Sequence, residues 1–128
     1  MIMKKINILV ERTKTGYSAF AEDLPVYSTG KDIVTLKKGI LEALNLYFED
    51  QQKTITESNL RVTLDLHQFF EFYKVINAKA LSERIGMNQS LLAQYVKGHK
   101  KPSSAQTEKI LKGIQQVGRE LANIQVIH

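Results

Sequence analysis

The stretch that decides how the second half of this chain folds is Ala80-Leu81-Ser82-Glu83-Arg84-Ile85-Gly86-Met87-Asn88-Gln89-Ser90-Leu91-Leu92-Ala93-Gln94-Tyr95-Val96-Lys97-Gly98. Asn77 upstream can cap a helix over residues 78–85, and Gly86 suits the left-handed position that ends one. Asn88 caps a second helix over residues 89–97, closed by Gly98. A small residue, Ser82, sits where the first helix must approach the second. Gly86 occupies the tight turn, and Leu92 falls on the buried face of the second helix, with Leu81 and Ile85 as further core contacts.

These are the positional demands of a helix-turn-helix. The outward face of its second helix carries Gln89, Ser90, Ala93, Gln94 and Lys97, with no acidic residue. A Gln amide can bond an adenine edge bidentately, and a Ser hydroxyl can donate or accept. Lys79, Lys97, Lys100 and Lys101 lie where phosphates would be met. A plain helical bundle with a solvated polar face is the simpler alternative. The joint occurrence of spacing, amide face and local charge favours DNA reading.

Working outward, the residues on either side are also helical. Asp65 can cap, with Gln68 completing a capping box, ahead of a short aromatic helix with Phe69, Phe70, Phe72 and Tyr73. Ser103 can cap a last helix whose stripe is Ile110, Ile114, Val117 and Leu121. Before Leu66 the periodicity is different. Ile6, Ile8 and Val10 alternate with polar neighbours as in a half-buried strand. Residues 17–22 and 26–29 predict two more strands, separated by Asp23-Leu24-Pro25. Asp32 caps a helix with the stripe Ile33, Leu36, Ile40, Leu44, Tyr47 and Phe48, and Gly39 within it suggests close packing on the sheet. After a polar interval, Leu60, Val62, Leu64 and Leu66 alternate again. The expected architecture is α+β: a β-β-β-α-β unit over residues 1–66 with one open sheet face, then an all-α unit over residues 67–128.

The charge divides along the same line. The chain has 128 residues and a formal net charge of +5. Residues 1–66 carry nine basic and nine acidic side chains, whereas residues 67–128 carry nine basic and four acidic. A neutral module joined to a basic one suits two different partners. There is no cysteine, hence no disulfide framework and no thiol nucleophile. No apolar run approaches the ~20 residues of a membrane span, and no secretory signal is readable at the N-terminus, so a cytoplasmic protein with no membrane partner is expected. His67, His99 and His128 lack metal-ligand spacing, and no Gly-rich phosphate loop occurs.

Two resemblances add to this reading. Residues 80–98, followed by His99-Lys100-Lys101-Pro102-Ser103, resemble the lambda-repressor/Cro-like (XRE) helix-turn-helix. That resemblance implies that Gln89, Ser90 and Gln94 read bases, that Asn88 and Lys79 touch backbone, and that Tyr95 packs inward. The segment Gly16-Tyr17-Ser18-Ala19-Phe20-Ala21-Glu22-Asp23-Leu24-Pro25-Val26-Tyr27-Ser28-Thr29-Gly30, with Ile40-Leu41-Glu42-Ala43-Leu44 after it, is similar to the HicB antitoxin family. The family often has Pro-Gly where this chain has Pro25-Val26, and Gly-Asp-Thr where it has Gly30-Lys31-Asp32.

The resemblance implies a partial RNase H-like N-terminal unit and a DNA-binding C-terminal unit. It further implies a type II toxin–antitoxin function. The first unit would block a small mRNA-cleaving HicA-like toxin, the second would repress the operon by binding double-stranded operator DNA, and the protein would act as a homodimer or higher oligomer. A basic toxin surface would meet an acidic and aromatic edge at Tyr17, Glu22, Asp23 and Tyr27. The alternative is a stand-alone regulator whose N-terminal unit dimerises or senses a ligand. Catalysis is not expected, and neither is a cofactor or metal. An active RNase H-like nuclease needs converging carboxylates, but the first strand offers only Glu11, Glu42 and Glu49 lie on the helix, and Asp65 ends the last strand.

Overall fold

A computed structural model describes residues 5–126, and the tail positions Ile127 and His128 fall outside them. The chain is α+β, with a four-stranded mixed sheet and five α-helices among the described residues. It divides into two compact units, one ending at Phe72 and the other beginning at Tyr73.

In the first unit, β1 (Ile6–Thr13), β2 (Gly16–Ala21) and β3 (Tyr27–Gly30) form an antiparallel meander. Helix α1 (Ile33–Tyr47) then carries the chain over one sheet face, and β4 (Leu60–Leu64) returns parallel to β1, giving the order β3-β2-β1-β4. A parallel neighbour requires such a long crossover, whereas the meander closes through short turns. The β-β-β-α-β order expected from periodicity is present.

Side chains directly opposite one another across strands share a face. Ile8, Val10, Ala19 and Ala21 lie on the covered face and are buried against Leu36, Ile40 and Leu44 of α1. Gly39 lies against β3, where a Cβ would fall 2.3 Å from Ser28 Oγ. The helix must therefore ride close to the strand, as its mid-helix glycine suggested. Leu9, Phe20 and Tyr27 form a cross-strand row on the opposite face, and Tyr27 is 73% exposed.

The polar interval before β4 is ordered by one side chain. Asn45 Nδ2 donates to the Ile55 carbonyl at 3.0 Å, and the Ile55 N–H donates to Asn45 Oδ1 at 2.7 Å. Ile55 is thereby pinned in the core. Two short 3-10 turns, Glu49–Gln51 and Glu57–Asn59, flank this point.

The aromatic helix α2 (Leu66–Phe72) belongs to the first unit, so the boundary lies after Phe72 rather than after Leu66. The reason is chemical. Asp65 Oδ1 accepts from the Gln68 N–H at 3.1 Å, as an N-cap should. The Gln68 side chain, however, does not close a capping box. It pairs with the free edge of β1 at Arg12, accepting from the Arg12 N–H at 2.8 Å and donating to its carbonyl at 2.6 Å. An amide side chain thus continues the strand's backbone pairing. The Arg12 guanidinium lies 4.8 Å from the Tyr17 ring centre and 5.3 Å from that of Phe72, a second tie between sheet and helix. Moving the boundary also moves Glu71, so the first unit has nine basic and ten acidic residues and the second has nine and three.

The second unit contains α3 (Ala78–Ile85), α4 (Gln89–Val96) and α5 (Ser104–Ala122). Each begins at the predicted cap: the Ala80, Leu91 and Gln106 N–H groups donate to the side chains of Asn77, Asn88 and Ser103 at 3.0, 3.0 and 3.2 Å. The core comprises Leu81, Met87, Leu92, Tyr95 and Ile110, with buried Ser82 and Thr107. Both buried hydroxyls bond backward to main-chain carbonyls, Ser82 to Lys79 at 2.6 Å and Thr107 to Ser103 at 2.9 Å. Gly113 admits α3 to α5, since a Cβ there would fall 2.3 Å from Ile85 Cγ2.

Candidate nucleic-acid interface

Gly86 ends α3 at φ 67° and ψ 33°, the left-handed geometry that glycine adopts without steric cost. The Met87 N–H then donates to the Ser82 carbonyl at 2.9 Å, and the buried Met87 side chain anchors the turn beneath. This turn fixes the direction in which α4 leaves. Leu92 and Tyr95 seal the inner face of α4. The register leaves Gln89, Ser90, Gln94 and Lys97 exposed, with Ala93 half-buried among them.

Positions 90, 93, 94 and 97 are separated by steps of three and four, so they share one side of the helix. That side presents a hydroxyl, a methyl, an amide and an ammonium, with the Gln89 amide at the helix start, within a sequence free of carboxylates. Each of these polar groups can exchange hydrogen bonds with a base edge, and none would repel a phosphate.

The four lysines come from different elements. Lys79 is exposed in the first turn of α3, and Lys97 is the C-cap of α4. Gly98, at φ 77°, turns the chain so that the N–H groups of His99 and Lys100 both reach the Gln94 carbonyl, at 2.9 and 3.3 Å. Lys100 and Lys101 are exposed beyond this wrap. Lys79, Lys97 and Lys100 make no ion pair among the described residues, so their charges are not neutralised internally. Asn88 Oδ1 is engaged by the Leu91 N–H, which leaves its exposed amide NH₂ as the group able to meet a phosphate.

The residues expected at the other partner's edge do not form one patch. Glu22 and Asp23 are exposed in the β2–β3 turn, and Tyr27 starts β3 on the open sheet face beside Phe20. Tyr17 pairs with Arg12 on the α1-covered side and lies under its guanidinium. Register decides this, because residues 17 and 20 on one strand point to opposite faces. Phe20 and Leu9, which sequence reading did not single out, share the open face with Tyr27. Phe20 follows from the parity of β2 once its pairing with β3 is known.

Among the described residues, no three His, Cys, Asp or Glu side chains converge as a metal site. His67 and His99 are both exposed. No described helix is long and apolar enough to cross a membrane. No protein-family model matches this chain, and no curated protein matches it.

Proposed function

We propose that this protein is a DNA-binding antitoxin of the HicB type, without catalytic activity, and that α3 and α4 form a helix-turn-helix with α4 as its recognition helix. The observation that carries the DNA reading is the exposed, carboxylate-free run of Gln89, Ser90 and Gln94, with exposed Lys79, Lys97, Lys100 and Lys101 on either side of it in the chain. Amides supply base discrimination, and ammonium groups supply affinity and register. Asn88 joins the backbone contacts through its free NH₂.

The toxin-binding part rests on the resemblance of residues 16–30 to HicB antitoxins, with the first unit read as a partial RNase H-like fold. It is supported by an open sheet face whose aromatic row ends at Tyr27 in β3, the strand that follows the turn carrying exposed Glu22 and Asp23. A toxin that handles RNA needs a basic surface, and an acidic, aromatic rim complements one. The protein would act as a homodimer or higher oligomer.

The test has two arms. In a binding titration on the DNA upstream of its own gene, Gln94→Ala costs ~1–3 kcal/mol on the specific site and leaves random DNA unchanged. Lys100→Ala weakens both equally and lowers the salt slope by about one. Equal losses on both DNAs for Gln94→Ala would remove it as a reader. In the other arm, co-expression with the neighbouring small basic gene product yields a complex that Glu22→Lys with Asp23→Lys weakens. Absence of any such product leaves a stand-alone regulator.

A further inference from the structure

Helix α5 carries one continuous apolar stripe, Ile110, Ile114, Val117 and Leu121, but the second unit covers only its first half. Ile110 is fully buried, Ile114 and Val117 are half-buried, and Leu121 is 61% exposed. Between this uncovered half and the chain entering α3 lies a groove of about 560 Å³, walled by Tyr73, Val75 and Ile76 on one side and by Val117, Gly118 and Leu121 on the other. Val75 stands almost fully in solvent at the groove's edge. A Cβ at Gly118 would meet nothing within 4 Å, so the groove floor is open there.

The groove therefore offers both cavities and projections. Leu121 and Val75 project, and the space over Gly118 receives. A surface that carries both halves of its own complement is what a two-fold contact requires, since each patch meets an identical one. The charges obey the same rule. Arg84 lines the groove, and its guanidinium meets the Glu120 carboxylate at 2.7 Å. The hydrogen bond from Arg84 holds the Glu120 carboxyl below the usual carboxylate range, so both charges persist at neutral pH. One positive and one negative group at one rim place opposite signs face to face when a second copy is laid across by a two-fold rotation. A partner of uniform charge would meet one attraction and one repulsion.

We propose that the groove between the start of α3 and the second half of α5 is the surface by which a second copy of this chain docks, with Leu121 of each copy entering the groove of the other and Arg84 and Glu120 exchanging partners across the two-fold axis. For its use this rests on the DNA-reading proposal, because a palindromic operator is read by two recognition helices ~34–36 Å apart. Its chemistry rests on the groove alone.

The experiment is sedimentation of the full chain without DNA. The unsubstituted protein is expected to be a dimer, and Leu121→Asp is expected to weaken it about tenfold or more. Leu121 is exposed, so this change spares the fold. Arg84→Glu and Glu120→Arg each place like charges at the rim and weaken the dimer. Mixed in equal amounts, these two variants regain it, because each mixed pair then carries opposite charges across both contacts. Their intrachain pairs stay broken, so rescue by mixing identifies a contact between chains. A monomeric wild-type chain, a dimer indifferent to all three variants, or failure of the mixture to recover would each overturn the proposal. Gel shifts on whole and half operators separate it from the DNA reading. A groove-dependent dimer that shifts neither leaves the interface standing without that reading, and a monomer that shifts the whole operator leaves the reading without the interface.

Discussion

The two amphipathic helices α1 and α5 solve the same problem with different completeness. Helix α1 lies on a sheet, and the centre of its stripe, Leu36, Ile40 and Leu44, is buried, while Ile33 and Tyr47 at its ends are 41% and 44% exposed. Helix α5 is four residues longer, yet it packs on α3, which has only eight residues. A sheet is wide enough to cover a four-turn helix, and a two-turn helix is not. The centre of the first unit's helix is therefore closed by its own sheet, while the second unit's helix ends in apolar surface that its own short helix does not cover. The lesson concerns length matching: a long apolar stripe opposite a short element signals an interface before any complex is known.

The sharpest way to break this contrast is to make the same substitution on both helices. Leu44→Ala removes a fully buried side chain and should cost ~2–5 kcal/mol in denaturant unfolding, because the sheet and α1 cannot both close on the cavity. Leu121→Ala removes a mostly exposed one and should cost under ~0.5 kcal/mol when measured at a concentration where sedimentation shows a monomer. Comparable losses at the two sites would mean that Leu121 is covered within a single chain, and the difference between the helices would disappear.

Much of this contrast was legible in the sequence. Period-two and period-3.6 patterns placed the strands and helices, and Asn77, Asn88 and Ser103 marked three helix starts, because capping is local chemistry within four residues. Long-range choices were not legible. Gln68 looked like the second half of a capping box, yet it bonds to Arg12, 56 residues away in the chain. No local pattern distinguishes an amide that reaches back from one that reaches across, and the assignment of α2 turned on that difference. Asn45 pinning Ile55 is a similar case. At the candidate interface, the amide face of α4 followed from helical periodicity. Tyr17 and Tyr27, by contrast, were grouped by composition, and strand register placed them on opposite sides of the sheet.

Within α5 itself, the covered and uncovered halves differ at two glycines. Gly113→Ala gains up to ~1 kcal/mol of helix propensity, but its methyl would fall 2.3 Å from Ile85 Cγ2. The Ile85 Cγ2 methyl sits on a β-branched carbon whose χ1 is strongly restricted in a helix, so swinging it aside costs a disfavoured rotamer. An overpacking cost of ~1–3 kcal/mol outweighs the propensity gain. The expected outcome is a net loss of about 1 kcal/mol and a lower thermal midpoint. A net gain would show that α3 and α5 are not held as closely as this contact implies.

Gly118→Ala is the same change five residues later and should have the opposite sign. Nothing lies within 4 Å of the added carbon, and the residue is exposed, so no packing cost opposes the gain. Its backbone is helical, so alanine is compatible with it, and the unfolded chain loses freedom that glycine would have kept. At a concentration where sedimentation shows a monomer, the variant should be more stable by ~0.5–1 kcal/mol. At higher concentration, the same methyl enters the space that a second copy's Leu121 is proposed to fill. The monomer should then gain stability while the dimer weakens, a split that thermal unfolding and sedimentation on the same sample can resolve. If both rise together, the groove over Gly118 has room to spare in the dimer, and the entry of Leu121 at that point is wrong.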